Sequence, residues 1–331
     1  MLSGKTVLLL APQFFGYERE IQTELECLGA KVIYFDERPK NDFLTKALIR
    51  LNLKSFINRR INNYYLNIIN CTREIELDYL FMVAPETIPV VYLNKLRELH
   101  KDLKIYTYLW DSIKNKKNAL SYLPLSDKFY SFDSSDIKVD SKIEFLPLFY
   151  IKDYESIKNK EHETIYDIAF VGTAHSDRYE LVKKLEKQAV DNNLKLFFYF
   201  YSPSRVLFYF QKFFKKEFKR FSSRDVSFKS LSKQDVLDII KKSKAVVDIH
   251  HPLQNGLTMR SIEMLGAGKK ILTTNGNVVE YDFYKESNIA LLDREQPILD
   301  IDFCSGNYQK IQDEIYKKYS LKNWLVNIFT Q

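Results

Sequence analysis

The residues best able to do chemistry lie in one segment, His250-His251-Pro252-Leu253-Gln254-Asn255-Gly256-Leu257-Thr258-Met259-Arg260-Ser261-Ile262-Glu263, which runs on to Gly266 and Gly268. It follows an apolar run and passes through a glycine-containing loop into a helix. Backbone N–H groups at such a helix start attract phosphate. Arg260, about one turn inside, has the planar fork that suits a diphosphate. Glu263 lies three residues further on, on nearly the same face, where a carboxylate can accept both hydroxyls of a ribose. Gly266 and Gly268 allow a tight turn into the next strand. By pattern alone the segment also reads as an ordinary strand–loop–helix–strand with Arg and Glu in solvent.

A second segment, Gly172-Thr173-Ala174-His175-Ser176-Asp177-Arg178, follows another apolar run. Its glycine turn places N–H groups near a phosphate, and His175 and Arg178 add positive charge. The same residues also suit a strand–helix turn capped by Ser176 or Asp177. The spacing is not GxGxxG, which argues against nicotinamide or flavin binding. Of the adjacent histidines, at most one can enter a cleft from a strand end, and His251 is the candidate. Asp111 follows the apolar run Ile105 to Trp110, Glu86 follows Phe81 to Pro85, and Asp133 ends a third run. A carboxylate at a strand's C-terminal end is placed to act as general base toward a hydroxyl. Each also suits a helix cap or loop hydrogen bond.

These residues need elements to hold them, and the chain supplies a repeated strand–helix alternation. In the first half, strands are expected at Lys5–Ala11, Lys31–Phe35, Leu77–Val83, Lys104–Trp110, Lys128–Phe132 and Ile143–Leu146. Helices are expected at Tyr17–Leu28, from Asp42 to about Asn70, and at Val90–His100. The strands are continuous apolar runs, the mark of a parallel sheet covered on both faces. Residues 149–164 read as a polar linker. The alternation then restarts at Asp167–Val171 and continues through Lys195–Tyr201, Ala245–Ile249, Lys270–Thr274 and Ile289–Leu292. A final helix spans about Tyr308 to Phe329. The expected organisation is 1–150 as an N-terminal Rossmann-like domain and 165–307 as a C-terminal one, with 308–331 packing back on the first. The fold class is therefore α/β, two Rossmann-like domains facing a cleft.

Composition sets outer bounds. The chain has 331 residues and is 45% hydrophobic, so it can bury two cores. Its net charge of +7 suits an anionic partner but does not choose among nucleotide, phospholipid and nucleic acid. No nucleic-acid-binding motif accompanies the charge, so nucleic acid is not expected. Three scattered cysteines form no CxxC and fit a reducing compartment. No run is long enough to span a bilayer, and a cytoplasmic location is expected. Asp133/Asp136 and Asp300/Asp302 read as solvated turns rather than metal ligands.

Two basic stretches complete the reading. On a helical wheel over Ser204–Phe221, Leu207, Phe210, Phe214, Phe218 and Phe221 share one face, opposite Lys212, Lys215, Lys216 and Lys219. Lys46, Arg50, Lys54, Arg59 and Arg60 mark the other. Either helix suits the anionic inner face of a membrane, where it would bring a lipid-linked acceptor within reach. Each also suits a normal amphipathic helix with its apolar face on the core.

The run Thr258-Met259-Arg260-Ser261-Ile262-Glu263-Met264-Leu265-Gly266-Ala267-Gly268 resembles the C-terminal-domain signature of GT-B glycosyltransferases. It is most similar to a bacterial group from spore-coat, capsule and lipopolysaccharide clusters, whose core is Gly-Leu-Thr-Met-Arg-x-x-Glu. Ile168-Ala169-Phe170-Val171-Gly172-Thr173 resembles the start of that group's second domain. Tyr108-Leu109-Trp110-Asp111-Ser112 and Tyr130-Ser131-Phe132-Asp133 resemble elements of its first. The resemblance covers about residues 75 to 295. It implies GT-B architecture, a nucleotide-sugar donor (UDP-, GDP- or CMP-linked) and a glycan or lipid-linked glycan acceptor. It implies no cofactor or metal, since helix dipole and basic side chains stabilise the leaving diphosphate. Gly172, Thr173, His175, His251, Asn255, Gly256, Thr258, Arg260 and Glu263 would bind the donor, with Glu263 on the ribose. Asp111 and Glu86 would be catalytic. Related retaining enzymes carry two Glu eight residues apart on this helix, and here the earlier position is Asn255. A nucleotide-sugar epimerase of the same architecture and a non-catalytic nucleotide-sugar binding protein are the alternatives.

Overall fold

The computed structural model describes residues 1–50, 53–160, 162–174, 177–252 and 254–330. They form two compact units: Met1–Leu148 with Leu253–Gly256 and Leu321–Gln331, and Phe149–Pro252 with Leu257–Ser320.

The first unit is built on six parallel strands: β1 (Thr6–Ala11), β2 (Lys31–Asp36), β3 (Tyr79–Val83), β4 (Lys104–Leu109), β5 (Lys128–Ser131) and β6 (Ile143–Phe145). Their order is β2-β1-β3-β4-β5-β6. Four helices accompany them: α1 (Tyr17–Cys27), α2 (Phe43–Arg50), α3 (Asn58–Thr72) and α4 (Val90–Leu99). Val7 to Ala11 are all fully buried, as a strand covered on both faces requires. Leu8, Leu10, Leu80, Met82 and Ile105 form one core with Ile61, Tyr65 and Ile68 of α3 and Tyr92, Leu93 and Leu96 of α4.

The second unit repeats the scheme with β7 (Tyr166–Thr173), β8 (Leu196–Tyr201), β9 (Val226–Ser227), β10 (Ser243–Asp248), β11 (Lys270–Thr273) and β12 (Ile289–Leu291). Their order is β12-β11-β10-β7-β8-β9, again all parallel. Its helices are α5 (Lys152–Lys158), α6 (Arg178–Asp191), α7 (Arg205–Phe214), α8 (Lys216–Lys219), α9 (Lys233–Lys241), α10 (Met259–Ala267), α11 (Ile301–Ser305) and α12 (Asp313–Lys318). The last helix, α13 (Leu321–Thr330), belongs to the first unit, where Trp324 packs on Phe81 and Tyr108 at ring-centroid distances of 5.7 and 4.7 Å.

The strand order fixes where a ligand belongs. Connections reverse direction between β1 and β3 in the first sheet and between β7 and β10 in the second. In open α/β sheets the crevice beyond the strand C-termini at that reversal is the binding position.

Several expected elements differ. The 149–164 stretch holds helix α5, because Tyr154 and Ile157, three residues apart, are both buried. Gly172 and Thr173 end β7 rather than forming a turn. The long helix expected from Asp42 is α2, a 3-10 turn at Lys54–Ile57 and α3, with 51–52 outside the described residues. The C-terminal helix divides at Tyr319 and Ser320 into α12 and α13. Strand β9 was not legible at two residues. The basic aromatic helix breaks at Lys215, whose backbone is extended (φ −108°, ψ 127°).

Candidate functional site

At the reversal in the second sheet, the end of β10 is tied to the start of α10 by one buried carboxylate. Asp248 Oδ2 accepts from Thr258 Oγ1 at 2.7 Å and from Ser261 Oγ at 2.5 Å. Thr258 is the N-cap of α10 and accepts from the Ser261 N–H at 3.3 Å. This clamp fixes the first turn of the helix. On that turn Arg260 Nη1 is 2.9 Å from Glu263 Oε2, and Glu263 is only 6% exposed. A carboxylate this buried needs a charged partner, and Arg260 supplies it.

Two more arginines converge on the same sheet edge. Arg178, in the first turn of α6, donates from Nε and Nη2 to the Ile249 carbonyl at 3.1 and 2.7 Å and from Nη1 to Thr173 Oγ1 at 3.3 Å. It thus touches the ends of β7 and β10, the two strands that flank the reversal. Among the described residues it has no ion-pair partner. Arg294, just past β12, grips Asp177 with both arms of its fork (2.5 and 3.0 Å) and donates to the His250 carbonyl at 2.9 Å. Its Nη1 is buried with no hydrogen-bond partner among the described residues. Asp177 is therefore an anchor for Arg294 and makes no side-chain cap to α6. The His250 ring meets Thr274 Oγ1 at 2.8 Å, and burial, with Arg294 nearby, pushes its pKa below the usual value. His251 is half-buried. His175 lies outside the described residues.

The glycines divide by role. Gly268 ends α10 in the left-handed conformation (φ 60°). Gly266 is inside the helix, correcting the expected turn: an added Cβ would stand 2.5 Å from the Tyr150 ring. Gly172 packs over Phe170, where a Cβ would lie 2.6 Å from the ring. Gly256 lies within the first unit, where a Cβ would be 2.7 Å from the Phe132 ring and carbonyl. Beside it the Asn255 N–H donates to Asp133 Oδ2 at 3.0 Å.

The first sheet builds a different edge. A cavity of about 220 Å³ opens at its reversal, walled by Phe14 and Trp110 (centroids 5.7 Å apart) and by Pro12 and Pro85, with Arg38, Glu86, Asp111 and Lys116 as its charged lining. Two of the three left-handed non-glycine residues among those described are here: Ala84 (φ 46°) lines the cavity, and Phe15 (φ 51°) follows the Phe14 wall. Such strain is held only where surrounding structure imposes it, and it gathers at functional sites.

Glu86 is clamped by Arg38 at 3.2 Å and by Lys116. Burial pushes its carboxyl up, but the two cations outweigh burial and hold it below the usual carboxylate range. A general base wants the opposite tuning. In this geometry Glu86 orients two cations. Behind it, Glu37 is fully buried and accepts the backbone N–H groups of Glu86 (2.5 Å) and Thr87 through Oε1, while Oε2 has no hydrogen-bond partner among the described residues. Burial pushes its pKa up to about 7.

Asp111 Oδ1 accepts from Asn115 Nδ2 at 3.1 Å and Gln254 Nε2 at 2.7 Å. Oδ2 takes no hydrogen bond from the described residues. Asp133 is buried as a cap on Ser135. Asp136 accepts from Ser131 Oγ and the Ile113 N–H, and burial, then Asp133 and Asp111, push its pKa up. Of the three, Asp111 alone lines the cavity. Asp300 caps α11 through the Phe303 N–H at 2.8 Å. Among the described residues no group of three or more His, Cys, Asp or Glu is arranged to hold a metal ion, and no helix is long and apolar enough to cross a membrane.

Sequence reasoning missed Asp248, Arg294, Glu37, Arg38 and Lys116. Asp248 carried a readable signal, an acid ending an apolar strand ten residues before a Thr N-cap. The others acquire partners 30 to 117 residues away, which no local pattern reports.

No protein-family model matches the chain, and neither does any curated protein sequence. Solved structures do. The N-terminal domain of Candida albicans trehalose-6-phosphate phosphatase is similar at a TM-score of 0.58 and 9% identity, covering 99% of this chain and 97% of that one. The Anabaena protein Alr3699/HepE, solved in complex with UDP and glucose, is similar at a TM-score of 0.54 and 11% identity, covering 97% and 98%. At such identities the likeness is one of fold, and the fold is the α/β GT-B architecture of two Rossmann-like sheets.

Proposed function

We propose that this chain is a glycosyltransferase that takes a sugar from a nucleotide-sugar donor and passes it to a glycan acceptor. The observation that carries the reading is the Arg260–Glu263 pair at the start of α10, with Glu263 buried and Arg260 partly exposed, beside Arg178 at the strand reversal of the second sheet. Glu263 would accept the two ribose hydroxyls. Arg260, Arg178 and the N-terminus of α10 would take the diphosphate charge that develops as the glycosidic bond breaks. In the free protein Arg260 and Glu263 are ion-paired, and a nucleotide would exchange that pairing for charge-assisted hydrogen bonds of its own. The Anabaena structure of the same fold holds UDP and glucose, which makes UDP the first nucleotide to try.

The first unit would receive the acceptor in the Phe14/Trp110 cavity. Aromatic walls suit the apolar face of a sugar ring, and the charged lining suits its hydroxyls. Asp111 would take the proton from the attacking hydroxyl. The bacterial surface glycans implied by the sequence resemblance are the first acceptors to test.

The experiment is product analysis after incubation with UDP-, GDP- and CMP-sugars, with and without acceptor glycan. Sugar on the acceptor and free nucleotide in equal amounts are expected. An epimerised nucleotide sugar formed without acceptor would replace this reading with the epimerase. Nucleotide binding without turnover of any donor would replace it with a binding protein.

A further inference from the structure

Helix α7 is turned the wrong way round for a helix that only packs on its own domain. Val206, Tyr209, Phe210, Phe213 and Phe214 recur at the spacing of one helical face, the pattern that ordinarily seeks the core. Here that face is the exposed one: Val206 is 81% exposed, Phe213 74%, Phe214 65%, Phe210 59% and Tyr209 54%. The core takes Phe208 instead, fully buried with Phe218 and Phe221 beyond the break at Lys215. On the outer face Phe210 and Phe213 lie 4.5 and 5.0 Å from Phe214, and Tyr209 meets the buried Phe208 ring edge-on at 5.6 Å.

The surrounding charge is mostly of one sign. Residues 203–224 carry seven basic side chains and one acid, Glu217. Arg205, Lys215, Lys219 and Arg224 are exposed, and Lys212 is partly so. A protein partner would need an acidic rim around an apolar centre. A single-stranded nucleic acid would meet the cations but has little use for Val206 and a stack of phenylalanines. A bilayer with anionic lipid answers both features at once: headgroup phosphates for the cations, and the acyl boundary for the aromatic face.

We propose that α7 docks on an anionic lipid surface, with Val206, Tyr209, Phe210, Phe213 and Phe214 inserted at the headgroup–acyl boundary and the flanking lysines and arginines on the headgroups. The inference does not depend on the glycosyltransferase reading, and it corrects the wheel drawn from sequence, on which Phe210 and Phe214 shared a face with the core residues Phe218 and Phe221.

Co-sedimentation of the full chain with vesicles tests it. Binding to phosphatidylcholine vesicles containing phosphatidylglycerol, and little to phosphatidylcholine alone, is expected. Phe210→Ser/Phe213→Ser/Phe214→Ser should weaken partitioning more than about tenfold with the melting temperature unchanged, because these side chains lie outside the core. Lys215→Glu/Lys219→Glu/Arg224→Glu should also weaken it more than about tenfold, since each cation near a charged membrane contributes roughly fivefold. No sedimentation with anionic vesicles would overturn the proposal, as would a triple-serine variant that sediments like the parent. Dimerisation or single-stranded RNA binding that the triple-serine variant abolishes, without vesicle binding, would also overturn it and assign the face to that partner.

Discussion

The two sheet edges share a plan and differ in how they use charge. At the second, cations outnumber their commitments: Arg178 rests on a carbonyl and a hydroxyl, Arg294 keeps a buried N–H unspent, and Arg260 holds one buried carboxylate. At the first, two cations are spent on Glu86, and a second carboxyl, Glu37, is buried behind it with its pKa near 7. The first edge also has aromatic walls and the left-handed residues Ala84 and Phe15. Strand topology therefore supplies a position for a ligand twice, and the side chains decide what each position can hold. One suits an anion and the other suits a neutral polar ring.

Four substitutions test this contrast. Asp111→Asn should have the largest effect, lowering kcat by about a hundredfold or more with donor KM unchanged, as expected for loss of a general base. A loss confined to donor KM would move Asp111 out of the acceptor-side role. Glu37→Gln concerns stability and pH. Glu37 ionises near pH 7 in the folded chain and near 4.5 when unfolded. The folded state binds the extra proton between those values, so this group's contribution is full below about pH 4.5 and is lost as pH rises to about 7. The parent should lose about 3 kcal/mol across that window relative to Glu37→Gln, measured by urea denaturation at each pH. Parallel curves would contradict the buried assignment.

Glu263→Ala should raise donor KM or nucleotide Kd by about ten- to a hundredfold while leaving acceptor KM unchanged, the size expected for charge-assisted hydrogen bonds. Equal loss at both substrates would blur the division between the edges. Gly266→Ala should be the smallest, destabilising the second unit by about 1–3 kcal/mol, because the new Cβ would meet the Tyr150 ring at 2.5 Å. A neutral result in thermal denaturation would show that the ring yields.

The α/β alternation was legible because buried parallel strands are written as apolar runs, as in Val7 to Ala11, and most boundaries fall within two residues. The start of α10 was legible through Thr258 and its end through Gly268, since caps are local chemistry. What the sequence hid was orientation. The wheel drawn over 204–221 assumed one continuous helix, but the chain breaks at Lys215 and the aromatic face rotates outward. It also hid pairing at a distance. Glu86 looks like any carboxylate at a strand end until Arg38 and Lys116 close on it. Asp177 looks like a helix cap until Arg294 arrives from beyond β12.

Nucleotide binding by the second unit through Arg260, Glu263 and Arg178 is tested by a thermal-shift comparison of UDP, GDP, CMP, dTDP, ADP and NAD on the parent chain and on Glu263→Ala. A ligand near a hundred times its Kd should raise the parent's midpoint by about 4–8 °C. Such a rise is expected for one of the non-NAD nucleotides, and it should be lost in Glu263→Ala. A shift with NAD alone, no shift with any nucleotide, or an equal shift in the variant would contradict it.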